Sequence, residues 1–225
     1  MGRIRVAIDG PAGAGKSTLA RLLAELLGYT YIDTGAMYRA LTLLVLRNNT
    51  DWENEIGIMK LFENHSIEQL GTKTLLDGKD ISLNIREKSV SNAVSIVCRH
   101  KSVRARMVEL QRKAAEKSGI VMDGRDIGTV VLPDAELKIF LVASTEERAQ
   151  RRKKELDEMG KPMALEAVRD NILDRDKLDS SREIAPLKKA DDAVLIDNTN
   201  LSIEAEMEVI KKLVREKERE HNGEK

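Results

Sequence analysis

Eight residues near the amino terminus, Gly10-Pro11-Ala12-Gly13-Ala14-Gly15-Lys16-Ser17, have the spacing G-x-x-x-x-G-K-[ST], with Thr18 directly after them. Glycines so placed let the backbone curl until successive amides point inward, and a helix beginning there adds a dipole that favours phosphate oxygens. In that frame Lys16 bridges the β- and γ-phosphates of a nucleoside triphosphate, and the Ser17 hydroxyl takes a place on its Mg²⁺. The competing reading is a ligand-free glycine-rich turn. The full pattern between a strand-like and a helix-like segment favours the triphosphate, but it is silent on what is done with it.

The second set of residues is basic. Thr34-Gly35-x-x-Tyr38-Arg39 follows a short apolar run, Asp123-Gly124-Arg125-Asp126 follows another, and Asp174-Arg175-Asp176-x-x-Asp179-x-x-Arg182 closes a charged stretch. Arg148, Arg151 and Arg152 are spaced three and four apart and so share one helix face, where solvated charge is the competing reading. Arg39 taken alone reads better as a surface residue on a solvated helix face. Summed, the clusters supply what phosphoryl transfer requires, because its catalysis is largely positioning and neutralisation of developing charge. The Asn-Lys-x-Asp of a guanine-specific switch is absent.

These groups need a scaffold that gathers them. Short apolar segments, Ile4 to Ile8, Tyr29 to Ile32, Ile120 to Met122, Leu137 to Val142 and Val194 to Ile196, alternate with helical patterns, which predicts a parallel sheet covered by helices on both faces. Four of them run into Asp9, Asp33, Asp123 and Asp197, and ligands of open α/β sheets bind at the carboxyl ends of strands. The spacing predicts a helix over Lys16 to Leu27 stopped by Gly28, another from Ser144 with capping-box spacing to Glu147, and a last one from about Ser202 that ends in a charged, fraying tail. Two stretches break the alternation. The text from about Ser66 to Ile85 reads as a small antiparallel insertion turning at Asp77-Gly78. Gln150 to Arg182, with Gly160 and Pro162 inside, reads as a helix-turn-helix excursion that moves as a unit. Met107 and Leu110 read as core, Trp52 as packing, and His65, His100 and His221 as surface residues.

Composition narrows the partners. The 225 residues carry 38 Lys plus Arg against 38 Asp plus Glu, so the broad basic footprint of a protein that grips a nucleic-acid backbone is missing. Aromatic residues are only 3%, too few to stack bases in series. The lone Cys98 can form no internal disulfide, no Cys/His cluster offers a zinc site, and no apolar run approaches the roughly 18 residues of a membrane helix. MGRIRVAIDG lacks the features of a secretory signal. The expectation is a cytoplasmic monomer acting on small molecules, with no nucleic-acid or membrane partner.

GPAGAGKST, IDTGAMYR, SNAVSIVCRHKSVR, DGRDIGTVV, LDRDKLDSSREIAPL and VLIDNTNLS together resemble the bacterial cytidylate kinases, a branch of the nucleoside monophosphate kinases, over nearly the whole chain. The resemblance implies an α/β fold of the P-loop NTPase type: a five-stranded parallel sheet flanked by helices, a monophosphate-binding insertion with a small antiparallel sheet, and a helical lid. It implies a core of residues 1–33, 105–147 and 184–225, a monophosphate-binding region of 34–104 with its β-insert at about 66–85, and a lid of 148–183. It implies Mg²⁺-dependent transfer of phosphate from ATP to CMP, and to dCMP. ATP then lies on residues 10–18 with Arg148, Arg151 and Arg152, and Lys16, Arg125 and Arg182 serve catalysis. Arg39, Arg125 and Arg182 hold the acceptor's phosphate, Ser95, Arg104 and Asp126 the cytosine, and Arg175 and Asp179 the sugar. Thr34 stands where some members have Ser, a swap that keeps the hydroxyl. Another small-molecule P-loop kinase, acting on AMP or shikimate, and a nucleotide-dependent regulatory or RNA-binding protein are the rival readings.

Overall fold

A computed structural model describes residues 2–116, 119–158 and 160–223. The last two residues of the charged tail lie outside them. Two compact units divide the chain, residues 1–29 with 118–225, and residues 30–117.

The first unit is built on parallel strands. β1 (Arg5–Asp9) leads through the glycine-rich loop into α1 (Lys16–Leu27), whose Leu19, Ala20 and Leu23 are buried and which ends at Gly28 in the left-handed conformation. β2 (Thr30–Asp33) opens the second unit, where Asp33 caps α2 (Thr34–Arg47) by accepting from the Ala36 amide at 2.8 Å. α3 (Glu55–Asn64) follows, then a meander of β3 (Ile67–Leu70), β4 (Lys73–Leu76) and β5 (Lys79–Asp80). These three form a separate antiparallel sheet in the order β3-β4-β5, as the insertion pattern predicts. Asp77 and Gly78 both take positive φ, 50° and 75°, which a two-residue hairpin of this hand requires. α4 (Lys88–Val97) and α5 (Lys101–Ala114) complete that unit around Leu41, Ile58, Val90, Val103 and Met107.

The chain re-enters the first unit at β6 (Ile120–Gly124) and continues through a five-residue π-helical turn, Ile127–Val131, to β7 (Leu137–Val142). α6 (Thr145–Glu158) and α7 (Leu165–Ser180) form the predicted helical pair, packed through Ala149, Val168 and Ile172. β8 (Val194–Asp197) and α8 (Ile203–His221) close the chain. The larger sheet has five strands in the order β2-β6-β1-β7-β8, and β6, β7 and β8 are parallel to their neighbours, so the α/β prediction holds. Register sets Asp9 opposite Gly124 and Phe140, and Val142 opposite Asp197, which collects the carboxyl ends of four strands at one edge. Ile8, Ile120, Met122, Leu137 and Ile139 are fully buried in this sheet, so the carboxyl ends of β1, β6 and β7 are carried on a rigid core.

Among the described residues no helix is long and apolar enough to cross a membrane. His100 departs from its expected place on the surface. Its ring is 10% exposed and hydrogen-bonds the Trp52 carbonyl at 2.7 Å, because the turn before α5 packs it against the chain before α3. Met107 is buried and Leu110 only half-buried.

Candidate active site

The phosphate loop needs two backbone conformations that side chains resist. At Gly10, φ is +148° and a Cβ would lie 2.0 Å from the Leu141 carbonyl oxygen, so only glycine lets β1 turn off so close to β7. Gly15 has φ +91° and serves as the cap residue of α1. Lys16 and Ser17 therefore start the helix with its first amides facing the loop.

Lys16 is 5% exposed, and its Nζ donates to the Pro11 carbonyl at 2.7 Å, folded back across the loop. Burial lowers its pKa well below the usual lysine value, and the positive charge of Arg125 lowers it further, opposed by Asp123 and Asp9. Ser17 Oγ donates to Asp123 Oδ2 at 2.7 Å, which sets the hydroxyl of the loop against the carboxylate at the end of β6. Asp9, 4% exposed, accepts the amides of Ile127 at 2.9 Å and Gly128 at 2.8 Å, fastening the segment after Asp126 to the end of β1. Burial is the main cause raising its carboxyl to about 6, against those two hydrogen bonds.

α7 brings two carboxylates to the same edge, one turn apart. Asp176 Oδ1 accepts the Ala12 amide at 3.0 Å and pairs with Arg148. Asp179, 4% exposed, accepts from Arg125 Nε at 2.9 Å and pairs with Arg182. The predicted catalytic arginines are thus gathered on one acid. Arg148 is 6% exposed and donates to the carbonyls of Ala12 at 3.0 Å and Ala143 at 3.1 Å, which makes it a strut of the loop as well as a charge beside it. Arg151 reaches Asn198, whereas Arg152 bonds Glu155 along its own helix, so the trio shares a face in sequence but not a destination. Arg175 is half-buried, Asp126 is 5% exposed, and Thr18 is exposed at the start of α1.

In the second unit Thr34 is buried at the first turn of α2, and Arg39 and Ser95 are half-buried on α2 and α4. Arg104 is 3% exposed and lies with its guanidinium 5.5 Å from the centre of the Tyr38 ring, which braces a buried cation against an aromatic face.

Sequence reasoning missed the parts that hold the loop. Asp176 was legible only as one letter of a charged motif, and Asn198 and Glu206 carried no signal, since an Asn after a strand and a Glu in a helix's first turn are ordinary choices.

The family model described as cytidylate kinase matches residues 6–219. A curated relative named cytidylate kinase, from Bacillus thuringiensis (strain Al Hakam), is 54% identical over 216 residues, covering 94% of this chain and 95% of the relative. Among solved structures, an uncharacterized protein from Eubacterium ventriosum aligns with a TM-score of 0.54 at 13% identity, covering 95% of this chain and 99% of that one. A shikimate kinase from Bacteroides thetaiotaomicron aligns with a TM-score of 0.50, also at 13% identity, covering 94% and 98%. The two structures speak for the fold alone.

Proposed function

The chain belongs to the cytidylate kinase family, and from that premise we propose that it transfers the γ-phosphoryl group of ATP to CMP, and to dCMP, releasing ADP and the pyrimidine nucleoside diphosphate. The observation that carries this reading beyond kinship is the gathering of Arg125 with Arg182 on Asp179, one turn along α7 from Asp176, which holds the Ala12 amide of the glycine-rich loop.

The loop amides of residues 10–18 and Lys16 hold the ATP phosphates, with Arg148, Arg151 and Arg152 supplying further positive charge. An oxygen of the CMP phosphate attacks the γ-phosphorus in line. The new P–O bond forms as the bond to the β-phosphate oxygen breaks, and ADP leaves with that electron pair. Lys16, Arg125 and Arg182 neutralise the charge that gathers on the passing phosphoryl group. Arg39, Arg125 and Arg182 take the acceptor phosphate, Arg175 and Asp179 the sugar, and Thr34 lends its hydroxyl to the acceptor region. Asp126 accepts from the cytosine amino group while Ser95 and Arg104 donate to its ring acceptors. Uracil reverses two of those polarities and is opposed twice.

Mg²⁺ suits the residues present. Ser17 and Asp123 offer hard oxygens side by side, the donor type that Mg²⁺ prefers. Ser17 would hold the ion with Asp123 beside it, and the ion would offset charge on the β- and γ-phosphates. The lone Cys98 supports a reducing cytoplasm, balanced charge supports small-molecule partners, and a sequence with no long heptad repeat supports a monomer.

An acceptor screen tests the proposal: ADP formation with CMP, dCMP, UMP, AMP and shikimate. CMP is expected to exceed UMP by about 10²–10⁴-fold in kcat/KM, since each mispaired buried group costs about 1–3 kcal/mol. Asp126→Asn is expected to narrow that gap. Preference for AMP or shikimate would refute the acceptor, and ATP turnover that depends only on RNA or a protein would refute the enzyme.

A further inference from the structure

Asn198 stands one residue past β8, 1% exposed, and every polar group of its side chain is engaged. Its Nδ2 donates to the Ala14 carbonyl and to Glu206 Oε1, each at 3.0 Å, and its Oδ1 accepts from Arg151 Nη1 at 3.1 Å. Its own backbone is pinned as well, with the amide on the Val142 carbonyl at 2.9 Å and the carbonyl receiving Arg151 Nη2 at 3.0 Å. The amide can sit only one way round, because a flip would set Oδ1 against a carbonyl and a carboxylate. Glu206, on the first turn of α8 and 3% exposed, is a buried acid whose carboxyl is pushed up by burial and pulled back by the Asn198 hydrogen bond.

Ala14 O belongs to the same peptide unit as the Gly15 N–H. In a trans peptide the C=O and the following N–H point in opposite directions, so a donor that holds the carbonyl outward turns the amide inward. With φ at +91°, Gly15 lies in the left-handed region that glycine favours, and its own carbonyl is held by the Leu19 amide at 3.0 Å, which leaves the orientation of the preceding peptide plane to the contacts of the Ala14 carbonyl. We propose that Asn198, fixed by Glu206 and Arg151, is a positioning residue for phosphoryl transfer: it holds the Ala14–Gly15 peptide plane so that the Gly15 amide faces the phosphates of the donor nucleotide. The inference rests on the kinase reading for its reaction, but its readout, donor binding, needs no acceptor.

The experiment is calorimetric binding of Mg-ADP to the full chain and to Asn198→Ala, Asn198→Asp, Glu206→Met and the double variant Asn198→Ala/Glu206→Met, with thermal melting of each and KM for CMP beside it. Asn198→Ala is expected to weaken ADP binding about 10–100-fold, the scale of one misdirected buried amide. Its KM for CMP should stay within about twofold. Asn198→Asp places an oxygen where the donor stood and should weaken ADP binding at least as much. Glu206→Met should weaken it in the same direction and add nothing to Asn198→Ala in the double variant, since Glu206 acts through Asn198. Folded Asn198 variants with wild-type ADP affinity would overturn the inference. So would equal losses for ADP and CMP, additive effects in the double variant, or failure of both Asn198 variants to fold, which would make Asn198 a support of the fold. Absence of CMP-dependent turnover in the wild type would instead refute the kinase reading while the ADP comparison stood.

Discussion

Asp179→Asn isolates what one carboxylate contributes to a cluster of two arginines. Asp179 is 4% exposed and receives Arg125 Nε at 2.9 Å together with Arg182, whose side chains are 21% and 13% exposed. The substitution keeps the shape, removes the charge and turns an amide NH₂ towards one guanidinium. Breaking a buried pair by removing one partner costs about 3–5 kcal/mol, and the partial hydration of both arginines argues for the low end, about 3 kcal/mol. For a chain of this size each kcal/mol moves the melting temperature by about 2–4 °C, so a fall of about 6–12 °C is expected in chloride buffer. Inorganic phosphate should return part of that loss in the variant, because a bound anion replaces the missing charge, and should raise the wild type less. The assay is thermal melting in chloride and in phosphate at equal ionic strength. A variant melting within 2 °C of wild type, or gaining no more from phosphate than wild type does, would refute the account of Asp179 as the counter-charge of the two arginines.

Lys16→Met should lower kcat at least about 10³-fold with little change in melting, because the side chain lost is buried with its Nζ bonded to a loop carbonyl; retention of a tenth of wild-type kcat would remove Lys16 from catalysis. Hydrogen exchange across residues 150–182 should slow more with ATP analogue and CMP together than with either alone, and identical exchange with and without both ligands would make α6 and α7 a static pair. Asp9 supplies a pH test. Burial raises its carboxyl from 3.8 to about 6, so the folded chain keeps a proton that the unfolded chain releases, and stability falls as pH rises from about 4 through about 6, by about 3 kcal/mol in all. Asp9→Asn should abolish that component in urea titrations at pH 4.5 and 7.5, and an unchanged pH dependence would show that Asp9 is not the group responsible.

Much of the larger sheet was legible because strand cores and the loop obey local rules. β7 and α1 have their predicted bounds, the other strands of the larger sheet differ by a residue or two, and Asp77-Gly78 turns the small sheet. The phosphate loop is legible for the same reason: its chemistry lies in eight consecutive residues whose glycines are demanded by backbone geometry. The arginine trio shows where local reading ends. Helical spacing places Arg148, Arg151 and Arg152 on one face and accounts for the pairs Arg151–Glu147 and Arg152–Glu155, but not for the distant partners Asp176 of Arg148 and Asn198 of Arg151.

Residue type and spacing by themselves determined a triphosphate loop, a parallel sheet to carry it and a supply of cations, because each is written in short-range pattern. Tertiary structure alone decided which acid meets which cation. It set Asp179 under Arg125, Asp176 on the Ala12 amide, and Asn198 on the Ala14 carbonyl, pairings separated by 54, 164 and 184 residues. Such pairs form where strand ends and helices converge, and the energy of a buried charge depends on what the fold leaves beside it, which no window of sequence contains.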